Sequence, residues 1–430
     1  MDIRDRILAL TKEYILEQEA KKHFVPGETY ITPAGQMIDA DDVVSLVDTA
    51  LGLRYAEGEK AQTLEKKLRE FVGIRCASLC NSGSSANLLA LSALTSRELS
   101  EPLRRGNKIL TLACGFPTTV NPIIQNGMIP VFLDVELGTY LPNMNRVLEV
   151  LRRDPTIRGV MMAHTLGNPI DFLPVIENFP DLWIIEDCCD ALGSTIHGKH
   201  VGKLGAFSTL SLYPAHIMTT TEGGTVFTSQ PKLRVLVESL RDWGRDCWCD
   251  PGKENTCGKR FEWLFEKLPV GYDHKYIYTH VGYNLKISDL HASIGLGQVD
   301  RLPEFILTRR YNHHRLTEGL KKWQDFLILP EAAPNSNPSW FGFAITVKPP
   351  INCREISVYL ESKKIGTRRL FGGNLTRQPM YQSVPYEIAG NLENSDRVMN
   401  DTIWIGVWPG INDSMIDYIL DCFEEYFRGI

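Results

Sequence analysis

Between Cys76 and Ser229 the chain alternates short apolar runs with segments of helical periodicity, and this alternation limits the folds open to it more than any other feature. The runs are KILTLACGF, IPVFLDV, RGVMMAHT, LWIIEDCC and FSTLSLYP. Runs this short and this apolar suit strands buried on both faces, and the helical segments between them supply the crossovers that parallel strands need. The expectation is an α/β protein whose large domain carries a mostly parallel sheet covered by helices. In such sheets ligands bind beyond the carboxyl ends of the strands.

The remaining sequence divides around that block. Residues 1–40 read as an N-terminal arm, with Ile3, Ile7, Leu8 and Leu10 in an amphipathic helical pattern followed by the turn-rich VPGETYITPAGQ. Residues 41–290 form the expected cofactor-binding domain, interrupted at 242–285 by an aperiodic insertion rich in Trp, Cys, Gly and Pro; long irregular segments of this kind tend to be functional. Residues 291–330 read as linking helices, within a long helical stretch from Ser288 to Trp323; the joint LPEAAPNSNPSW follows, and 331–430 read as a smaller α/β C-terminal domain. The 46 Lys and Arg against 52 Asp and Glu leave a net charge of −6 without a basic run. That excludes the concentrated positive surface a nucleic acid or anionic membrane requires. No window approaches a membrane span and no signal peptide is visible, so a cytoplasmic location is expected. In that reducing setting the ten cysteines are thiols or metal ligands rather than disulfides.

Three features carry chemistry. Asn81 to Asn87, NSGSSAN, follows a short strand and opens an apolar helix; Gly83, Ser84 and Ser85 suit a phosphate cradle at a helix amino end, or a plain N-cap. Asp187 ends a buried strand, where a carboxylate can hold the ring nitrogen of a pyridoxal-type cofactor or cap the next turn. The third is C-x57-C-x-C-x7-C, formed by Cys189, Cys247, Cys249 and Cys257. Four thiolates suit zinc or an iron–sulfur cluster equally by count, and the residues alone do not choose between Cys188 and Cys189. Cys76, Cys80, Cys114, Cys353 and Cys422 read as small core residues. Trp243, Trp248, Trp404 and Trp408 read as packing near the site.

The cradle and Asp187 stand in the order used by pyridoxal-phosphate enzymes of the aspartate aminotransferase fold. Ser211-Leu212-Tyr213-Pro214-Ala215-His216 with Glu222-Gly223-Gly224 resembles the lysine segment of the DegT/DnrJ/EryC1/StrS sugar aminotransferases. Gly282-Tyr283-Asn284-Leu285-Lys286 resembles the segment whose Asn reaches the cofactor phosphate of the neighbouring subunit. The resemblance spans roughly residues 30–425. It implies a type I pyridoxal-phosphate transferase fold and a homodimer with shared active sites. It also implies cofactor contacts from Gly83, Ser84, Ser85, Ser211, Asn284 and Asp190, a ring face covered by Phe116, and a ring nitrogen paired with Asp187. Where the family has its lysine, this chain has His216. Imidazole forms no stable covalent link to the cofactor, but it titrates near neutrality and can take a proton from a cofactor carbon. The plainer alternative is a histidine satisfied in a core turn.

Histidine for lysine, the cysteine spacing and the stretch GTRRLFGGNLTRQP (366–379) together resemble the CDP-6-deoxy-L-threo-D-glycero-4-hexulose 3-dehydrase branch of that family. This implies non-covalent pyridoxamine phosphate, a [2Fe-2S] cluster on Cys189, Cys247, Cys249 and Cys257, and C3 dehydration of a nucleotide-linked 4-keto-6-deoxyhexose with His216 as base. It further implies an NAD(P)H-dependent iron–sulfur flavoprotein reductase as electron donor, in 3,6-dideoxysugar and lipopolysaccharide O-antigen synthesis. The branch's His-His pair is His216-Ile217 here. His164, Arg368, Arg369 and Arg377 are expected substrate contacts, the arginines because guanidinium matches a diphosphate in a fork. Three alternatives stay open: a dTDP-4-keto-2,6-dideoxyhexose 3-dehydratase, a cluster-free 3-dehydratase, and a non-catalytic zinc-binding aminotransferase homologue.

Overall fold

The structure, a computed structural model, describes residues 2–249 and 253–429. All five apolar runs are strands of one eight-stranded sheet, in the order Cys76–Cys80, Gly224–Thr228, Phe207–Ser211, Trp183–Asp187, Ile157–Ala163, Lys108–Leu112, Ile129–Leu133 and Glu387–Ile388. Every neighbouring pair is parallel except the two that Gly224–Thr228 makes, so that strand alone runs against the rest. Helices cover both faces and bury the strands almost throughout, which is why the runs are apolar without alternation. The α/β fold expected from the sequence is the fold observed.

Register brings the chemistry to one end of this sheet. Asp187 is level with Ala163 on one side and with Thr209 on the other. The antiparallel pair Phe207–Ser211 and Gly224–Thr228 matches Ser211 to Gly224, so the connecting residues 212–223, His216 among them, loop over the strand ends. Gly224 has no substitute there, because a Cβ would lie 2.2 Å from the Ser82 carbonyl oxygen.

A second, antiparallel sheet lies within the C-terminal part of the chain: Leu327–Ile328, Gly342–Val347, Thr402–Gly406 and Arg368–Arg369. Its core includes Ile356 and Leu360 of the helix Cys353–Ser362 and Ile416, Ile419 and Phe423 of the helix Asp413–Arg428. The strand Glu387–Ile388 crosses back to extend the large sheet. Between the two cores runs a single helix of 32 residues, Asp289–Leu320, within the long helical stretch read from Ser288 to Trp323. Leu302, Phe305 and Ile306 pack it on the large domain, and Leu316 and Leu320 pack it on the small one. One rod therefore spans both, continuing through Pro303.

The N-terminal arm begins with the helix Ile3–Ala20, opened by an Asp2/Asp5 capping box. Ion pairs from Arg4 to Asp48 and from Lys12 to Asp41 hold it beside the helix Ala40–Leu51. None of its residues is buried, and Ile3, Leu10, Tyr14 and Leu16 are exposed. Among the described residues no helix is long and apolar enough to cross a membrane.

Candidate active site

The strand ends open into a cleft of about 810 Å³. Asp187 sits on its floor, and two side chains and one main-chain amide fix its carboxylate. Oδ2 accepts hydrogen bonds from Asn87 Nδ2 at 2.8 Å and Thr119 Oγ1 at 2.7 Å, and Oδ1 accepts from the Cys189 amide at 3.1 Å. Thr209 Oγ1 in turn donates to Asn87 Oδ1 at 2.6 Å, which settles the direction of the Asn87 amide.

Beside it the helix Gly83–Ala93 points its amino end at the cleft. Ser82 caps it, its Oγ accepting the Ser85 amide at 3.1 Å. Gly83 is pressed on Ser211 so closely that a Cβ would lie 2.5 Å from the Ser211 Cβ. Gly83, Ser84 and Ser211 thus share one wall, where a helix terminus favours an anion. Ser85 is turned inward, its Oγ 3.0 Å from the Ser82 hydroxyl.

Opposite, Phe116 is half exposed and packs edge-to-face on Phe371. His216 occupies a tight turn closed by its own amide donating to the Tyr213 carbonyl. Its imidazole is mostly buried against the Phe341 ring, with centroids 5.2 Å apart. Nδ1 lies 3.4 Å from Asp190 Oδ1 and makes no hydrogen bond. Asp190 is fixed by the Leu166 amide, which donates to its other oxygen at 3.3 Å. Cys189, Arg368 and Arg369 complete the expected residues on the lining. Tyr213 and Phe371 stand inside motifs read from the sequence without a role of their own, and Pro33 and Ala34 of the arm, Thr119 and Phe341 belong to no motif that marks chemistry; the fold brings all six here.

Two expected substrate contacts are not on this lining. His164 is fully buried behind the sheet: Nδ1 accepts from the Ile170 amide at 2.8 Å, which leaves the proton on Nε2, 3.4 Å from Glu186 Oε2. Glu186 also takes the amides of Gly202, Leu204 and Gly205. His164, Glu186 and Cys188 are therefore buried neighbours in the core, away from the cleft lining. Arg377 forks onto Asp396, at 2.9 and 2.7 Å, and is held outside the cleft. Asn284 is also elsewhere. It pairs with Asp242 at the neck of the 242–285 insertion, and the adjacent Leu285 carbonyl accepts the Asn81 amide at the start of the phosphate turn.

Cys247, Cys249 and Cys257 line one hollow with Arg260, His274 and Lys275. The insertion around them is braced by Trp263 stacked on His274, by Trp248 against both rings, and by Arg260 forked on Asp273. Burial raises the Cys249 thiol, but hydrogen bonds from Thr256, Cys247 and the Cys257 amide outweigh it and bring the group down to about 7. Cys189 is not in this hollow. It lies on the wall of the large cleft, where burial and then Asp187 push its thiol well up. Three of the four expected ligands line one hollow, their sulfurs not all within 4.8 Å of one another, and the fourth stands apart. Asp250, Pro251 and Gly252 lie outside the described residues.

The cleft fits a pyridoxal-type cofactor: an anion-favouring helix terminus, a fixed carboxylate, an exposed aromatic face and an unbonded imidazole nitrogen surround one space. The cysteine hollow offers three thiols to a thiolate-bound centre, a partial fit. Sheet order, the lone reversed strand and this cleft define the class as the pyridoxal-phosphate-dependent aminotransferase fold. An E. coli GDP-4-keto-6-deoxy-D-mannose-3-dehydratase with bound hydrated PLP shares it with a TM-score of 0.82 at 23% identity, over 92% of this chain and 100% of that one. The chain belongs to the DegT/DnrJ/EryC1/StrS aminotransferase family, which it matches over residues 36–424. It is 50% identical to a dTDP-4-dehydro-2,6-dideoxy-D-glucose 3-dehydratase of Saccharopolyspora spinosa, over 99% of this chain and 92% of that protein. It is 48% identical to the lipopolysaccharide biosynthesis protein RfbH of Salmonella typhimurium, over 99% and 98%.

Proposed function

We propose that the protein is a pyridoxamine-phosphate-dependent enzyme that dehydrates a nucleotide-linked 4-keto-6-deoxyhexose at C3. The observation that carries this is His216 in the lysine position of the family, on the cleft and facing Asp190. When bound, the cofactor supplies an amine for the C4 ketone and a conjugated ring that takes up the electrons released as its C4′ proton leaves. Gly83, Ser84 and Ser211 hold the phosphate, Asp187 holds the ring nitrogen, and Phe116 covers the ring. His216 takes the C4′ proton, and Asp190 steadies the imidazolium that results. Arg368 and Arg369 receive the diphosphate at the rim.

The curated relative with 50% identity supports a dTDP-linked substrate over the CDP-linked one that the sequence resemblance first suggested. Cys247, Cys249 and Cys257 support a [2Fe-2S] centre in the insertion, with Cys189 the fourth ligand; since Cys189 stands apart here, no step is derived through it. A cluster would draw electrons from an NAD(P)H-dependent flavoprotein reductase. The exposed apolar stripe of the first helix supports a homodimer.

Anaerobically purified protein supplied with cofactor, a reductase and either nucleotide sugar tests the reading. The dTDP-linked ketosugar should give a C3-deoxygenated product, faster than its CDP counterpart. Transfer of an amino group to C4, with the C3 hydroxyl retained, would overturn it.

A further inference from the structure

Arg309 is fully buried in the middle of the helix Asp289–Leu320, and among the described residues no carboxylate forms an ion pair with it. A charge taken out of water in this way is costly unless its donors are well used. All the acceptors it meets are main-chain carbonyls at the cleft. One terminal nitrogen donates to the His216 carbonyl at 3.0 Å, and the other donates to the carbonyls of Trp340 and Phe341 at 3.3 and 3.4 Å.

Those carbonyls belong to the two pieces of chain that frame the imidazole. His216 carries it, and the Phe341 ring lies 5.2 Å from it. The frame closes on itself: the Phe341 amide donates to the Leu166 carbonyl, the Leu166 amide donates to Asp190, and Asp190 faces His216 Nδ1. The imidazole itself makes no hydrogen bond through Nδ1 to hold it in place. Its position is therefore set by the backbone beneath it and the ring beside it, and Arg309 ties these two together.

We propose that Arg309 is a positioning residue for His216: its guanidinium fastens the turn that carries the imidazole to the segment that backs it, so the long interdomain helix sets where the base points. The inference rests on the reading of His216 as the base. A lysine could hold one segment or the other, but its single nitrogen lacks the fixed fork that spans both.

The test uses Arg309→Met and Arg309→Lys in the full chain, with three readouts: cofactor C4′ proton exchange, pyridoxamine phosphate affinity, and the ring ¹⁵N signal of His216, assigned by its loss in His216→Asn. A methionine of similar length can occupy the buried site without a charge. In Arg309→Met, exchange should fall by about 100-fold, the scale of a misplaced catalytic group, with affinity nearly unchanged and the His216 signal shifted or broadened. Arg309→Lys should fall between this and the parent, and it decides the matter if the methionine variant does not fold. Parental exchange and an unmoved His216 signal in either folded variant would overturn the proposal, as would a loss of exchange explained entirely by lost affinity. If His216→Asn itself keeps parental exchange, the reading of the base fails, while the ring signal still reports whether Arg309 holds it.

Discussion

His216 lies between two unlike neighbours, the Asp190 carboxylate at 3.4 Å and the Phe341 ring. The carboxylate faces one ring nitrogen and the aromatic ring crowds the imidazole from the side, so the group is confined where a proton would be transferred. Removing the negative charge should slow that transfer without emptying the cleft. Asp190→Asn is expected to lower C4′ proton exchange by roughly one to two orders of magnitude, up to the lower end of general-base effects since the base itself remains, while cofactor titration gives a nearly unchanged affinity. Sequence alone could place Asp187 and His216, since each stands at a fixed offset in a motif. It could not separate the outcomes for His164 and Arg377. Both residue types suit a substrate, and only the folded chain shows the Ile170 amide on one and Asp396 on the other.

At the scale of elements, the contact between the Gly83–Ala93 helix and the Phe207–Ser211 strand decides whether a phosphate site exists. Gly83→Ala would drive a methyl group to 2.5 Å from the Ser211 Cβ and push the helix end away from Ser211. Pyridoxamine phosphate affinity should drop at least tenfold, about 1.4 kcal/mol, with the circular dichroism of the fold preserved; equilibrium dialysis checks it. The insertion is a separate element with its own test. Cys249→Ser and Cys189→Ser should each lower bound iron and acid-labile sulfide after anaerobic reconstitution. Full retention in Cys189→Ser would confine any centre to the three-cysteine hollow, and zinc in place of iron would remove electron transfer from the account. The elements themselves were legible where apolar runs were long and regular, as in the five strands found. The same holds for the long helix: the helical stretch read from Ser288 to Trp323 is the single rod Asp289–Leu320, Pro303 included.

For the whole molecule, the junction between domains carries a pH dependence. His313 of the long helix stacks on Trp340, with centroids 3.9 Å apart, and its Nε2 has no partner. Burial, followed by the charge of His314, lowers its pKa to about 3 from an ordinary 6.5. The folded state refuses a proton that the unfolded chain accepts, so stability is complete above about pH 6.5 and declines as the pH falls toward 3. His313→Phe should therefore flatten the loss of stability between pH 7 and pH 5, read as the change in denaturation midpoint, and leave the neutral-pH midpoint little altered. An equally steep acid decline in that variant would place the sensitivity elsewhere.

In the proposed reaction His216 does the proton transfer from the position where the family resemblance implies a lysine. With the ketosugar present, pyridoxamine phosphate deuterated at C4′ and bound to the parent protein should lose its label stereospecifically to water; bound to His216→Asn under the same conditions, it should keep the label at undiminished affinity. Label lost at the parental rate from that variant would contradict the assignment of His216 as the base.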